Sequence, residues 1–407
     1  MRAIAKRSNE KKGGEPNLEV ILRGLTWDHP RGYSPLIKGA SEYQAIHPGL
    51  RIHWDRRTLR EFGEAPIEQY LDRYDLIIMD HPFVGFAAAH DVLVELGGHL
   101  TEVEKAAFAR DSVGASWDSY CYANGIWALP VDAATQVASY RPDLLSQLSA
   151  VTPRTFDEVV QLGRKARARG KFIAVAACPI DAISLFFTLT ANLGYPIAED
   201  AEPFVDEGVA KEVLDRMHAL IAIAHPNSTA WNPIQLYDQM VRVPDIVYCP
   251  WAYGYSNYSR RQTLVPLAFT DAPASGNRGC AGTQLGGTGI AVSKQSPHRD
   301  AAVSYAKWVA SQEHQCGTYF REGGQPASLA AWIDPPIDFE AGGFFSGTLE
   351  TLRTAYVRPR FDGFIRFFEA AGIEINRCLK NQVADAEVIE WLNRYFAERL
   401  ASAAARG

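Results

Sequence analysis

Short apolar runs of strand length alternate with helical patterns through the first three hundred residues of the chain. Residues 18–25 have the length of a strand, and residues 34–46 carry apolar side chains at helical spacing. Residues 74–79 form a continuous apolar run that is typical of a buried parallel strand. Such alternation predicts βαβ units and an α/β fold. Further strands are predicted at 50–54, 125–130, 172–177, 245–249, 264–269 and 289–293, and further helices at 155–169, 182–193, 206–222 and 298–311.

The end of the chain lacks strand patterns. Beyond about residue 300, helices are predicted at 346–356, 361–382 and 385–404. The 407 residues are too many for one ordinary core and suit two lobes of roughly 150–200 residues each. Because two α/β halves in tandem would continue to alternate, the helical end predicts a chain that crosses between its lobes more than once.

The net charge of -6 argues against nucleic-acid binding, which needs a basic face. The basic residues within 1–16 are expected to form a disordered arm. No apolar stretch approaches the roughly 18–20 residues of a membrane span, and residues 11–16 are too polar for an export signal. Either the secreted precursor starts elsewhere, or the protein stays in the cytoplasm. The six scattered cysteines are expected to be buried free thiols, which fit a reducing compartment.

The tripeptide Asp-His-Pro occurs twice, each time directly after a predicted strand. Asp28 and His29 follow the first strand, and Asp80 and His81 follow the strand at 74–79. Because open α/β sheets bind ligands at the carboxyl ends of their strands, we expect a ligand-facing rim there. The alternative is that proline ends each strand and the polar residues cap the next turn. Aromatic surfaces and a cation flank the tripeptides in Trp27, Tyr33, Phe83 and Arg31.

A second aromatic cluster follows the predicted strand at 245–249. Trp251, Tyr253 and Tyr255 are expected to contact a ligand, with packing of a loop as the alternative. Catalytic signatures are absent, since the glycines at 286–289 lack the lysine of a phosphate loop and no G-x-S-x-G elbow occurs. The Asp-His pairs lack the tight spacing of metal ligands. We therefore expect neither an enzyme nor a metal site.

Several segments, in order along the chain, resemble the family 1 extracellular solute-binding proteins of ABC importers, the maltose-binding type. GIWALPVD at 125–132 resembles the family's strand into its first crossover, and PDLL at 142–145 with PRTFDE at 153–158 resembles its D-L-L … P-x-T-W-D-E segment. GGTGIAVS at 286–293 is similar to the second crossover. GGQPAS at 323–328 is similar to the G-x-x-P-x-x turn. The resemblance covers residues 18–401.

The resemblance implies a periplasmic-binding-protein-like fold, in which about three crossovers join two α/β lobes and the ligand lies in the cleft between them. It divides the chain into a first lobe of residues 17–131 plus 286–327 and a second lobe of residues 132–285 plus 328–407. It also adds Asp132, Gly287 and Gln325, which lie near the crossovers, to the residues expected to line the cleft.

A protein of this family closes around a small polar solute by hinge motion and delivers it to an importer permease. The resemblance thus implies a monomeric periplasmic protein with no catalysis and no cofactor. Aromatic residues with carboxylates suit a sugar, whereas histidines with an arginine suit an organic acid, and the choice stays open. One alternative is a cytoplasmic ligand sensor or carrier with the same fold. Another is a metal-dependent hydrolase built on the Asp-His pairs.

Overall fold

A computed structural model describes residues 19–64 and 67–405, so the predicted arm at 1–16 lies outside the described residues. Within the described part, no helix has both the length and the apolar character needed to cross a membrane. The strands are β1 Val20–Trp27, β2 Leu50–Arg57, β3 Leu76–Met79, β4 Cys121–Tyr122, β5 Gly125–Ile126, β6 Leu129–Tyr140, β7 Phe172–Ile173, β8 Ile246–Tyr253, β9 Ala268–Thr270 and β10 Leu285–Val292. The helices are α1 Pro30–Ile46, α2 Leu59–Glu64, α3 Val84–His90, α4 Glu102–Asp111, α5 Ser116–Tyr120, α6 Pro142–Gln147, α7 Phe156–Arg167, α8 Pro179–Leu193, α9 Glu207–Ile223, α10 Pro233–Arg242, α11 Arg299–Val309, α12 Gln312–His314, α13 Leu329–Ile333, α14 Pro335–Glu340, α15 Phe344–Arg353, α16 Phe364–Leu379 and α17 Asp385–Ala404.

Each Asp-His-Pro tripeptide leads directly into a helix. α1 begins at Pro30, a position where the missing proline N–H costs nothing, and His29 Nδ1 accepts a hydrogen bond of 3.1 Å from the backbone N–H of Arg31. After β3, a single 3-10 turn leads into α3, and Asp80 Oδ1 accepts from the backbone N–H of His81 at 2.8 Å. Locally, His29 and Asp80 therefore act as helix caps.

One mixed sheet runs through the molecule in the order β2-β1-β3-β10-β6-β8-β7, with β9 also paired to β6. β1 is parallel to β2 and β3, whereas β10 and β6 are antiparallel to their neighbours. We call β1, β2 and β3 the first strand group, and β7, β8 and β9 the second. β6 joins them, because its residues up to Thr135 pair with β10 and its residues from Gln136 pair with β8 and β9.

Separate hydrophobic cores accompany the two strand groups. In the first group, Leu22 of β1 and Tyr43 of α1 pack with Tyr305 of α11. In the second, Phe187 of α8 packs with Phe367 of α16 and other aromatic residues of the C-terminal helices. Each such buried side chain contributes about 1.5–3 kcal/mol to stability. The helical end of the chain thus packs onto helices from its middle.

Several element boundaries differ from those predicted. β6 continues to Tyr140, ten residues beyond the strand predicted at 125–130, while the strand predicted at 172–177 covers only Phe172–Ile173. The later half of β6 lacks an apolar run because it buries polar side chains, several of which bond to groups outside the strands of the sheet. Thr135 Oγ1, for example, lies 2.6 Å from Thr283 Oγ1. Such partners come from distant parts of the chain, so no local pattern predicts this half of the strand.

Candidate functional site

A cavity of about 470 Å³ lies where the two strand groups meet, within the roughly 300–1,000 Å³ range of small-molecule sites. Its walls come from the end of β1, the beginnings of α1 and α8, the middle of β6, the end of β8, the beginning of β10, and α16. Both strand groups therefore contribute to one site, at the junction that β6 and β10 span.

A buried ion pair crosses one side of this cavity. Arg31, in the first turn of α1, donates to both carboxylate oxygens of Asp132 on β6, at 2.7 and 2.6 Å. Arg31 Nη1 also donates to the carbonyl of Gly254, just after β8, at 2.8 Å. Burial disfavours the positive charge of Arg31. The attraction and hydrogen bonds of Asp132 are stronger than this effect of burial and hold the pKa of Arg31 above its ordinary value. The guanidinium also lies 4.5 Å from the centre of the Tyr255 ring. One side chain thus joins α1 to both β6 and the second strand group.

A second ion pair crosses the cavity from Asp80 to Arg358. Arg358 Nη2 lies 2.5 Å from Asp80 Oδ2, and the guanidinium is 4.9 Å from the centre of the Phe368 ring. Burial opposes ionisation of Asp80, but Arg358 and His81 hold the pKa of its carboxyl well below the usual range. Asp80 follows β3 and Arg358 precedes α16, so this pair links the first strand group to the C-terminal helices.

Aromatic rings and two glycines shape the remaining wall. The rings are those of Trp27, Phe62, Tyr253 and Tyr255. The ring of Tyr253 lies against β10, where a Cβ on Gly286 would come within 2.6 Å of its Cε1 atom. Gly287 has φ +105, and a Cβ there would meet the Asp132 carbonyl oxygen at 2.3 Å. Because these two glycines have no side chain, the Tyr253 ring fits against β10 and the backbone of β6 can lie close to β10.

Asp181 is a lining residue that sequence analysis did not select. It lies in the first turn of α8, its side chain is only 4% exposed, and its Oδ2 accepts from the Cys178 thiol at 3.1 Å. Burial raises the pKa of the Asp181 carboxyl to about 7. The sequence feature that could have indicated Asp181 as a lining residue is its position just after the strand predicted at 172–177. Arg358 and Asn232 also line the cavity and were likewise missed.

Half of the residues selected from the sequence line the cavity and half do not. Those that line it are Trp27, Arg31, Asp80, Asp132, Tyr253, Tyr255 and Gly287. Those placed elsewhere are Asp28, His29, Tyr33, His81, Phe83, Trp251 and Gln325. The strand ends predicted from the sequence thus contribute to the cavity wall, while the side chains at these ends point in different directions.

Trp251 lies in the hydrophobic core instead of the cavity. Its side chain is 0% exposed and stacks on Phe156, with ring centres 6.3 Å apart. Strict alternation along β8 would place it on the same face as Tyr253. A register shift in the pairing of β6 with β8 inserts one extra residue beside Pro250, so the two aromatic residues face different ways. This bulge is invisible to a period-two pattern.

Other selected residues lie on the surface or behind the lining. Arg56 binds Asp28 at 3.1 Å and stacks over Tyr33 on the outer surface. His29 packs edge-on against Tyr255, with ring centres 5.1 Å apart, and burial lowers its pKa to about 4. These residues therefore form a rim and a supporting layer.

The second tripeptide and the turn at 323–328 also supply supporting residues. His81 and Phe83 are buried beneath Asp80 in the 3-10 turn, and burial lowers the pKa of His81 to about 4. Gln325 donates to the carbonyl of Ala133 at 2.7 Å and accepts from the backbone N–H of Ser256 at 2.9 Å. Gln325 thus fixes the backbone behind Asp132 without reaching the cavity.

The profile of the bacterial extracellular solute-binding protein family matches residues 26–315 of the chain. A curated protein of Sinorhizobium fredii (strain NBRC 101917 / NGR234), the probable amino-acid ABC transporter periplasmic-binding protein y4oP, is 26% identical over 194 residues. The matched segment is 46% of this chain and 43% of that protein, so the chain spans less than half the length of this curated relative.

Solved structures share the fold over nearly the whole chain. Maltose-bound MalE3 of T. maritima has a TM-score of 0.80 at 18% identity, over 92% of this chain and 98% of that one. A solute-binding protein of Agrobacterium radiobacter K84 in complex with ribitol has a TM-score of 0.76 at 18% identity, over 94% and 99%. The predicted two-lobed α/β fold is therefore confirmed. The matched profile confirms the resemblance as well: the chain belongs to the bacterial extracellular solute-binding proteins, a family of binding proteins of the ABC-transporter type.

Proposed function

We propose that the chain binds a small polar solute between its lobes and presents it to the permease of an ABC importer. The observation that carries the proposal is one cavity whose walls come from both strand groups. Because a solute there would contact both lobes only when they are together, its binding would favour the closed state. β6 and β10, which connect the groups, are the segments about which the lobes would bend.

The charges of the cavity favour a hydroxyl-rich solute over an organic anion. Arg31 and Arg358 are the cations best placed to bind a carboxylate, and each is already paired with an aspartate. The rings of Trp27 and Tyr253 offer faces on which the C–H groups of a sugar or polyol can pack. Maltose and ribitol in the two similar structures support a solute of this class.

The proposed contact set differs from the one selected on sequence. It keeps Trp27, Arg31, Asp80, Asp132, Tyr253, Tyr255 and Gly287, and adds Asp181 and Arg358. In this proposal His29, His81 and Gln325 act indirectly, by holding the lining residues in place. Trp251 has no role beyond stabilising the core.

A thermal-shift screen followed by calorimetry tests the proposal. Sugars, polyols, organic acids and amino acids are offered to the purified protein, and a true ligand at a hundred-fold excess over its dissociation constant stabilises it by about 2.7 kcal/mol. Tyr253→Ala should abolish the shift, because it removes part of the wall. Tyr33→Ala is the matched control, since that ring lies outside the cavity against Arg56. Equal binding by both variants, or no ligand in any class, contradicts the proposal.

The same proposal places the protein, as a monomer, in the periplasm with a permease partner. The six cysteines, all free thiols, favour the alternative of a cytoplasmic carrier with the same binding site. Fractionation of the native host with an antibody separates the two. Recovery in the periplasmic fraction supports transport, and recovery with cytoplasmic enzymes supports the carrier.

A further inference from the structure

Asp181 is a buried carboxyl group of the cavity wall without a cationic partner among residues 19–64 and 67–405. Its one recorded hydrogen bond comes from the Cys178 thiol, a weak donor. Burial raises its pKa and the Cys178 thiol lowers it, and none of the described arginine, lysine or histidine side chains contributes to the shift. A carboxylate removed from water in this way is costly unless an opposite charge accompanies it.

The charged side chains of the cavity lining, Asp181 included, add up to a negative excess. The lining contains three arginines against four carboxylates, and two of the arginines are committed to Asp80 and Asp132. The remaining lining charges, Arg60 and Glu369, have opposite signs and interactions of their own. Asp181 is therefore the lining carboxylate for which the described part of the chain offers no opposite charge.

Aromatic rings line the same cavity as this carboxyl, among them those of Tyr253 and Tyr255. Burial raises the pKa of both phenols, and the charge of Asp181 adds a smaller contribution in the same direction, so both rings stay neutral. A carboxylate beside neutral aromatic rings is the environment in which proteins hold ammonium groups, through an ion pair and cation–π attraction together.

We infer that the solute carries a positively charged amine, which pairs with Asp181 while the remainder of the solute contacts the ion pairs and rings. This inference rests on the proposed function, because it names the chemistry of the solute in the same cavity. An ammonium group would supply the missing countercharge and keep Asp181 ionised. A neutral solute would leave that carboxylate unbalanced.

Pairs of matched probes test the inference. The two members of each pair are identical except that an amine replaces one hydroxyl group. The pairs are D-sorbitol with 1-amino-1-deoxy-D-sorbitol and L-lactate with L-alanine, whose amines are charged at pH 8, where titration calorimetry is carried out. We expect the amine of at least one pair to bind at least ten times more tightly than its hydroxyl partner. Asp181→Asn should remove that preference. Asp157→Asn is the matched control, since Asp157 occupies the first turn of α7 but is exposed and outside the cavity.

The outcomes separate this inference from the proposed function. If hydroxyl probes bind and no amine is preferred, or if Asp181→Asn keeps the preference, the inference is wrong and the proposed function stands. If no probe of any pair binds, the inference and the proposed function are both contradicted for these solutes. Asp181→Ser repeats the test should Asp181→Asn fail to fold.

An independent observation lies far along the chain, where three helices bring together potential metal ligands. His218 Nε2 of α9 is 3.0 Å from Asp385 Oδ1 of α17, and Cys378 Sγ of α16 is 3.1 Å from that oxygen and 3.7 Å from that nitrogen. Among the described residues this is the group with metal-compatible geometry, and it contains neither Asp-His tripeptide.

The three atoms have the chemistry and spacing of a zinc site. Zinc binds thiolate, imidazole and carboxylate at about 2.0–2.3 Å, which separates tetrahedral ligands by roughly 3.3–3.7 Å. The observed separations need only a few tenths of an ångström of adjustment. His218 and Asp385 are 27% and 35% exposed, so water can reach a fourth position. We propose that His218, Cys378 and Asp385 bind a divalent transition-metal ion that links the three helices. The sequence predicts no metal site, and that prediction concerned only the Asp-His pairs.

Titration with Co²⁺ and Zn²⁺ tests this site. We expect one Co²⁺ per chain, a thiolate-to-cobalt charge-transfer band, and a higher melting temperature with Zn²⁺. Cys378→Ser should remove the band, while Cys280→Ser, which changes a partly buried thiol outside this cluster, should keep it. His218→Asn should weaken binding at least tenfold and serves if Cys378→Ser does not fold. Absence of stoichiometric binding, or an unchanged band in Cys378→Ser, overturns the proposal.

Discussion

Replacing Asp181 with asparagine removes a carboxylate that the folded, solute-free protein holds without a cationic partner among its described residues. Burial raises the pKa of Asp181 from 3.8 to about 7. A raised pKa in the folded state means that this group supports folding fully below pH 3.8 and loses that support as the pH rises through 7. Asp181→Asn cannot lose a proton, so its stability should not carry this dependence.

The magnitude follows from the size of the shift. About three pKa units at about 1.36 kcal/mol each correspond to about 4 kcal/mol at pH 8, and to about 1 kcal/mol at pH 4.5. Burial of the asparagine NH2 group without a hydrogen-bond acceptor offsets about 1 kcal/mol, while its oxygen can still accept from the Cys178 thiol. At about 2.1 cal/mol/K per residue over 407 residues, the remaining gain raises the melting temperature by roughly 3–4 °C at pH 8.

Urea and thermal denaturation followed by circular dichroism, at pH 8 and pH 4.5, measure this difference. Wild type, Asp181→Asn and Asp157→Asn are compared without solute, and Asp157→Asn should show no gain because its carboxyl is exposed. A less stable Asp181→Asn at pH 8, or an equal difference at both pH values, would refute the reasoning.

Three further substitutions probe the site and its support. Trp251→Ala should lower the free energy of unfolding by about 3–5 kcal/mol in urea, because it empties a core position, while calorimetry finds solute affinity unchanged. Arg31→Ala should cost about 3–5 kcal/mol in the same urea assay, because Asp132 stays buried without its cation, and the double variant with Asp132→Asn should recover part of the loss. Gly286→Ala places a methyl group 2.6 Å from a ring carbon of Tyr253, so the ring must move and calorimetry should show at least tenfold weaker solute binding.

Sequence patterns predicted the fold class and the strand ends that meet at the cavity, because both depend on local periodicity. Trp27 and Asp80 end up in the lining for the reason anticipated, since each stands at the carboxyl end of a parallel strand. Only the family resemblance predicts Asp132 as a lining residue. The residues around it in β6 mix polar and apolar side chains, so they give no local strand pattern.

Other features depend on contacts that no local pattern contains. Trp251 was placed in the site because period-two alternation cannot reveal the bulge in β8. In the sequence, Asp181 is a single acidic residue before the helix predicted at 182–193, and only the surrounding side chains show that it has no countercharge among the described residues. Arg358 joins the cavity from a segment 278 residues away from its partner Asp80. Pairing over such a distance is a property of the tertiary fold.

The ion pair between Asp80 and Arg358 connects the two sides of the cavity without any atom of solute. Arg31, which reaches Asp132 and the Gly254 carbonyl, adds a second such connection. In the proposed closure, these contacts would raise the fraction of solute-free molecules that already have the binding arrangement, and apparent affinity scales with that fraction. The solute would then need few contacts of its own to be captured from dilute surroundings. The same connections would bring empty and loaded molecules closer in shape, so the proposed permease would have to tell them apart by how long they stay closed.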